Sequence, residues 1–102
     1  MKRVVAYVPD LMDRSKVAAA GDVSFVTDPA RLGAEAEGAD IVLVDLTRAG
    51  VLDALPSIGA PVIGFANHTQ RELLDAARAA GCVEALPRSA FFSRLDELVG
   101  GN

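Results

Sequence analysis

The sequence predicts an α/β fold, a three-layer α/β/α sandwich with a five-stranded parallel sheet between two layers of helices. Three observations lead there. Short apolar, β-rich runs recur five times, segments with helix punctuation separate them, and the third run, Ile41-Val42-Leu43-Val44, leads straight into a carboxylate, Asp45. In a parallel sheet helices cover both faces, so strands read as unbroken Val/Ile/Leu runs, and the polar residues after them collect at the carboxyl edge. Right-handed crossovers wind such a fivefold β-α alternation into three layers. The 102 residues make a single domain, 1–102, long enough to bury a core without help from metals or disulfides.

The first strand is expected over Arg3–Val8 and the second over Val23–Val26, with a short helix around Met12–Ala20 between them. Asp28-Pro29 combines an N-cap with proline at the first helical position, and Gly38 follows the helix they open. Ile41–Asp45 is the third strand, then comes a weakly marked helix around Ala49–Leu55, then a fourth strand over Pro61–Ala66. Thr69 and Glu72 have the spacing of a capping box. Leu73, Leu74, Ala77 and Ala80 share one side of the helix it would open, and Gly81 stops it. Val83–Leu86 is read as the fifth strand from its place between two helical patterns. Ser89 is expected to cap one last helix, in which Phe91, Phe92, Leu95, Leu98 and Val99 recur at three- and four-residue steps. A frayed Gly100-Gly101-Asn102 follows.

Composition narrows the function classes. Half of the residues, 51%, are hydrophobic and 24% are charged, with no Trp, which suits an aliphatic core and excludes a disordered tail. A net charge of −4 disfavours nucleic acid as a partner, because unspecific attraction to phosphates needs clustered Lys and Arg. No apolar run approaches the roughly twenty residues that cross a bilayer, and Met1-Lys2-Arg3 leads into a strand without a signal-peptide pattern. The expectation is therefore a cytoplasmic protein without a membrane partner. The lone Cys82 cannot form an intrachain disulfide and reads as a small core hydrophobe. No glycine-rich phosphate loop follows the first strand, which argues against a dinucleotide or P-loop enzyme.

Residues just after the first, third, fourth and fifth strands share the crevice at the carboxyl edge: Asp10, Asp45, Asn67, His68 and Arg88. With this group the chain resembles, over nearly its whole length, the receiver domain of bacterial response regulators. Ala39 to Leu46 resembles the receiver's third strand with its phosphorylated aspartate, which falls on Asp45. Pro61 to Asn67 is similar to the fourth strand, and Ala80-Gly81-Cys82-Val83-Glu84-Ala85-Leu86 to the alanine-glycine turn and fifth strand. The resemblance implies a sheet order of 2-1-3-4-5, Asp45 as candidate phosphoacceptor, and magnesium as the one cofactor, held by Asp10 and Asp45. It further implies a two-component signalling role in a phosphorelay.

The departures are specific. Where receivers carry an acidic pair, this chain has Val8-Pro9-Asp10, one carboxylate, and a hard cation loses affinity with each oxygen ligand removed. The switch hydroxyl falls on Ala66, which has nothing to donate. The receiver lysine and its following proline fall on Arg88 and Ser89, with Pro87 ahead of the basic residue. A guanidinium keeps the charge but changes the geometry.

Each residue also has a plainer role. Asp45 either accepts a phosphoryl group or is a helix N-terminal or salt-bridged aspartate. Arg88 either clamps an anion or pairs permanently with Asp45, and the pair is the preferred reading, since two charges about 4 Å apart attract by roughly 4 kcal/mol at an effective dielectric near 20, before desolvation. His68 is a titrating or phosphate-binding group, or a solvated loop residue. Together these point to a stand-alone atypical receiver-like module, not an enzyme. It would act through a protein partner, a kinase or an effector, or through a homodimer, by the face around the fourth and fifth helices, where Ala76, Ala79 and Ala80 allow close approach. The alternatives are a small-ligand or anion-binding module using Arg88, His68 and Asn67, and a small enzyme whose best candidate pair is Asp45 with His68.

Overall fold

The computed structural model describes residues 2–100. Five strands, β1 (Val4–Tyr7), β2 (Val23–Phe25), β3 (Ile41–Asp45), β4 (Val62–Ala66) and β5 (Glu84–Pro87), form one sheet in the order β2-β1-β3-β4-β5. All four pairings are parallel, as the sequence predicts. The register sets Asp45 beside Phe65 and Phe65 beside Leu86, so the ends of β3, β4 and β5 open on one edge.

Helices α1 (Leu11–Ala20), α5 (Arg88–Ser93) and α6 (Leu95–Gly100) bring Val17, Phe91, Leu95, Leu98 and Val99 onto one face of the sheet, against Val4, Ala6, Leu43, Ile63 and Phe65. On the other face, α2 (Leu32–Glu35), α3 (Val51–Ala54) and α4 (Arg71–Ala79) bring Leu32, Val51, Leu74 and Ala77 against Val5, Tyr7, Val42, Val44 and Ala85. Alternate residues of β1, β3 and β4 therefore feed opposite cores, which is why these three strands carry no polar alternation, whereas the edge strand β2 leaves Ser24 exposed. No described helix is long and apolar enough to cross a membrane.

Local chemistry explains the helix starts. Asp10 caps α1, its Oδ1 accepting the Met12 and Asp13 N–H groups at 3.0 Å each. Asp28 accepts from Ala30 N–H at 2.9 Å, and Pro29–Arg31 forms a single 3₁₀ turn that runs into α2. Gly38 ends that segment at φ +78°, where a side chain would be strained. A second 3₁₀ turn, Leu55–Ser57, follows α3.

Four sequence expectations are corrected. The Thr69/Glu72 capping box does not form. Residues 67–70 make a tight turn instead, closed by Gln70 N–H to the Asn67 carbonyl (2.9 Å), and Gln70 Oε1 accepts the Asn67 N–H at 3.0 Å, so the N-cap falls on Gln70. The fifth strand begins one residue later than expected. Gly81, at φ +120°, turns the chain so that Cys82 is buried while Val83 is left 61% exposed. Ser89 caps nothing, because α5 starts directly on Arg88. The single last helix is two, broken at Arg94, whose side chain reaches Glu84 at 2.8 and 3.2 Å. The expected fraying at Gly101 and Asn102 lies outside the described residues, and Gly100 is the last residue of α6.

Candidate functional site

Asp45 is held where it is by packing beneath it. Gly64 lies under Leu46, and a Cβ there would meet Leu46 carbons at 2.6 Å. The absent side chain lets Leu46 bury itself, with its N–H on the Phe65 carbonyl at 2.9 Å. The chain turns at once, and Asp45, only 2% exposed, is folded back on its own loop. Its Oδ1 accepts Thr47 N–H at 3.0 Å and Thr47 Oγ1–H at 2.6 Å, while Oδ2 faces Arg48 Nε at 3.4 Å. This is a side-chain turn of the kind aspartate makes two residues ahead of itself. The carboxylate expected to face an open crevice is covered.

Arg88 does not take Asp45 as its ion-pair partner. Its Nη2 donates to Asp13 Oδ1 at 2.6 Å, and its guanidinium lies over the rings of Phe65 and Phe92, 5.2 and 5.3 Å from their centroids. Thr47 and Arg48 reach Asp45 from two and three residues away and satisfy it locally. Asp13, on the inward side of α1, is 4% exposed and needs a cation. The Asp13 hydrogen bond raises the Arg88 pKa above its ordinary value against the opposing effect of burial, and the charges of Asp13, Asp45 and Asp10 add to the rise. The guanidinium thus remains an electrostatic centre for three carboxylates while bonding one of them.

Asp10 is exposed and engaged in capping. The Asp13 N–H, against a smaller effect of desolvation, holds its carboxyl below the usual range, helped by the Met12 N–H and the charges of Arg48 and Arg88. Asp10 is taken up by capping, Asp13 by Arg88, and Asp45 by Thr47 and Arg48. Among the described residues no three His, Cys, Asp or Glu side chains are grouped to hold a metal ion. The expected magnesium ligands Asp10 and Asp45 each have another occupation.

The residues after β4 have other neighbours. Asn67 is exposed in the turn before α4, and His68 lines an open cavity of about 610 Å³ with Arg71, Leu74, Asp75, Arg78 and Pro87. Neither Asp10, Asp45 nor Arg88 lines it. The carboxylate of Asp45 takes its hydrogen bonds from Thr47 and Arg48, so the Asp45–His68 pair weighed for an enzyme is not made. Cys82 is buried, and burial pushes its thiol pKa up against a hydrogen bond from the Gly64 backbone, the opposite of an activated thiol.

Sequence reasoning missed Asp13, Thr47 and Arg48. Two signals were present. Asp13 stands four residues before the buried Val17, on the same helical stripe, and Asp45-Leu46-Thr47 has the spacing of an aspartate turn.

Acid should act on two of these carboxylates. Glu84, hydrogen-bonded by Arg94, and Asp10, hydrogen-bonded by backbone N–H groups, both have depressed folded-state pKa values. The unfolded chain then binds more protons near the ordinary carboxylate pKa. The stabilisation is complete above that value and falls as pH drops through the lower folded values. Glu84→Gln and Asp10→Asn should each flatten the acid side of a melting-temperature profile below about pH 4. An unchanged slope in both variants would contradict these assignments.

No family model matches this sequence, and no curated protein sequence matches it. Solved structures do. A response regulator from Hahella chejuensis superposes with a TM-score of 0.79 at 14% identity, covering 93% of this chain and 89% of that one. A putative pilus assembly protein (cpaE) from Burkholderia thailandensis superposes with a TM-score of 0.67 at 18% identity, covering 95% of this chain and 93% of that one. The fold is that of a response-regulator receiver domain.

Proposed function

With the receiver fold as premise, we propose that this chain is an atypical receiver-like signalling module that works by binding another protein, without phosphoryl transfer to Asp45. One observation carries the reading: both oxygens of Asp45 are engaged by Thr47 and Arg48. A phosphoryl acceptor needs an accessible oxygen and a cation to neutralise incoming charge. Here the accessible face is covered and the cation that falls on the receiver lysine is committed to Asp13. The module is non-enzymatic in this reading, uses no magnesium, and belongs to a cytoplasmic two-component setting in bacteria.

The partner, a kinase, an effector or a second copy of the chain, docks on the face made by α4 and β5. Ala79 is exposed there and Ala76 and Ala80 are half-buried, so a partner's backbone can come close. Photo-crosslinking in the cells that make the protein tests this. A crosslinking residue at Ala79 is expected to give one discrete adduct, absent when the same residue replaces the exposed Ala18 of α1, and unchanged by Asp45→Asn. Equal adducts from both positions, or loss of the adduct in Asp45→Asn, would overturn the proposal.

A further inference from the structure

The cavity between α4 and the end of β5 has a composition that docking alone does not explain. Its volume of about 610 Å³ falls within the size range of small-molecule sites. Three nitrogen-bearing side chains, His68, Arg71 and Arg78, line it with only one carboxylate, Asp75. That carboxylate is already matched, since Arg78 Nη1 donates to Asp75 Oδ1 at 2.9 Å. Arg78 Nη2 also donates to the Ala85 carbonyl at 2.7 Å, which fixes its guanidinium against the edge strand before any ligand arrives. Arg71 has no ion pair among the described residues, and its charge and the His68 ring are left over in a protein whose net charge is −4. Between these groups lie Leu74, which is buried, and Pro87, an apolar floor.

A site with surplus donors at one part and an apolar floor at another selects an organic anion. A guanidinium suits the oxygens of a phosphate or carboxylate group, and an imidazole adds a further donor. We propose that this cavity binds a small organic phosphate monoester, its phosphate on Arg71 and His68 and its apolar body on Leu74 and Pro87. The inference goes beyond the docking role and does not depend on it, because it concerns the isolated chain. It also relocates anion recognition: Arg88, which the anion-binding alternative grouped with His68 and Asn67, is bound to Asp13 on the other core.

The test is a titration of the full chain with phenyl phosphate, followed by amide nuclear magnetic resonance at about 150 mM salt, where unspecific surface attraction is screened. Saturable shifts confined to residues 68–78 and Arg88 are expected, with inorganic phosphate and phenol each binding more weakly than the two joined. Arg71→Ala should weaken phenyl phosphate about tenfold, the loss of one charge-assisted hydrogen-bonding group. Arg31→Ala removes the same charge from an exposed arginine outside the cavity and should leave binding unchanged. Shifts that do not saturate, equal weakening by Arg31→Ala, tighter binding of benzoate than of phenyl phosphate, or saturation by an acidic peptide alone would overturn the proposal.

Discussion

Arg88→Ala is expected to destabilise the fold by about 2–3 kcal/mol, read as a shift in the urea midpoint with an unchanged slope. Breaking a buried ion pair by removing one partner costs about 3–5 kcal/mol, because the other charge stays buried alone. Asp13 is such a charge, with a side chain 6% exposed, but Arg88 is itself 37% exposed and solvent screens part of the loss, which sets the lower figure. The guanidinium also covers Phe65 and Phe92, so truncation removes packing together with charge. The choice of partner is separately measurable. In double-mutant cycles, Arg88 and Asp13 should couple by about 1–3 kcal/mol, whereas Arg88 and Asp45, which share no hydrogen bond, should stay within about 0.5 kcal/mol of additivity. Stronger coupling to Asp45 than to Asp13 would restore the pair first expected from the sequence.

Asp45→Ala is expected to cost about 2 kcal/mol, since it deprives the Thr47 N–H and hydroxyl of their acceptor and leaves a void beside Phe65. Asp45→Asn keeps an oxygen for Thr47 and loses only the Arg48 ion pair, whose arginine is 42% exposed, so it should cost less than about 1 kcal/mol. The pair of variants separates two roles. A turn-forming aspartate shows this order of stabilities and faster amide exchange in residues 46–50 of the alanine variant alone. An aspartate kept only for reactivity, crowded by like charges, would make both variants as stable as the parent or more so.

The reach of the sequence follows from what each kind of residue reports. Strands buried on both faces announce themselves, because nothing but an unbroken apolar run survives there, and Ile41–Asp45 has the same limits in sequence and structure. Helix starts marked by one short-range hydrogen bond, such as Asp28-Pro29, were equally legible. Thr69/Glu72 failed because a competing turn over residues 67–70, closed by Gln70, takes up Thr69, and propensity alone does not rank two local hydrogen-bond patterns. The break falls at Arg94, whose side chain bonds Glu84, ten residues away on the edge strand, and no window of helical periodicity contains that contact. At the site, parallel topology is enough to expect Asp10, Asp45 and Arg88 at one edge, after the ends of β1, β3 and β5. It could not say which cation takes which carboxylate, because that depends on the ångström-scale competition between Arg48, three residues from Asp45, and Arg88, across the sheet.

In the proposed function Asp45 is a structural carboxylate closed to phosphoryl donors. Intact mass spectrometry after incubation with acetyl phosphate and magnesium, quenched in acid, addresses it directly. A single species with the mass of the unmodified chain is expected. A phosphoryl adduct that forms in the parent protein and disappears in Asp45→Asn would contradict the proposed function.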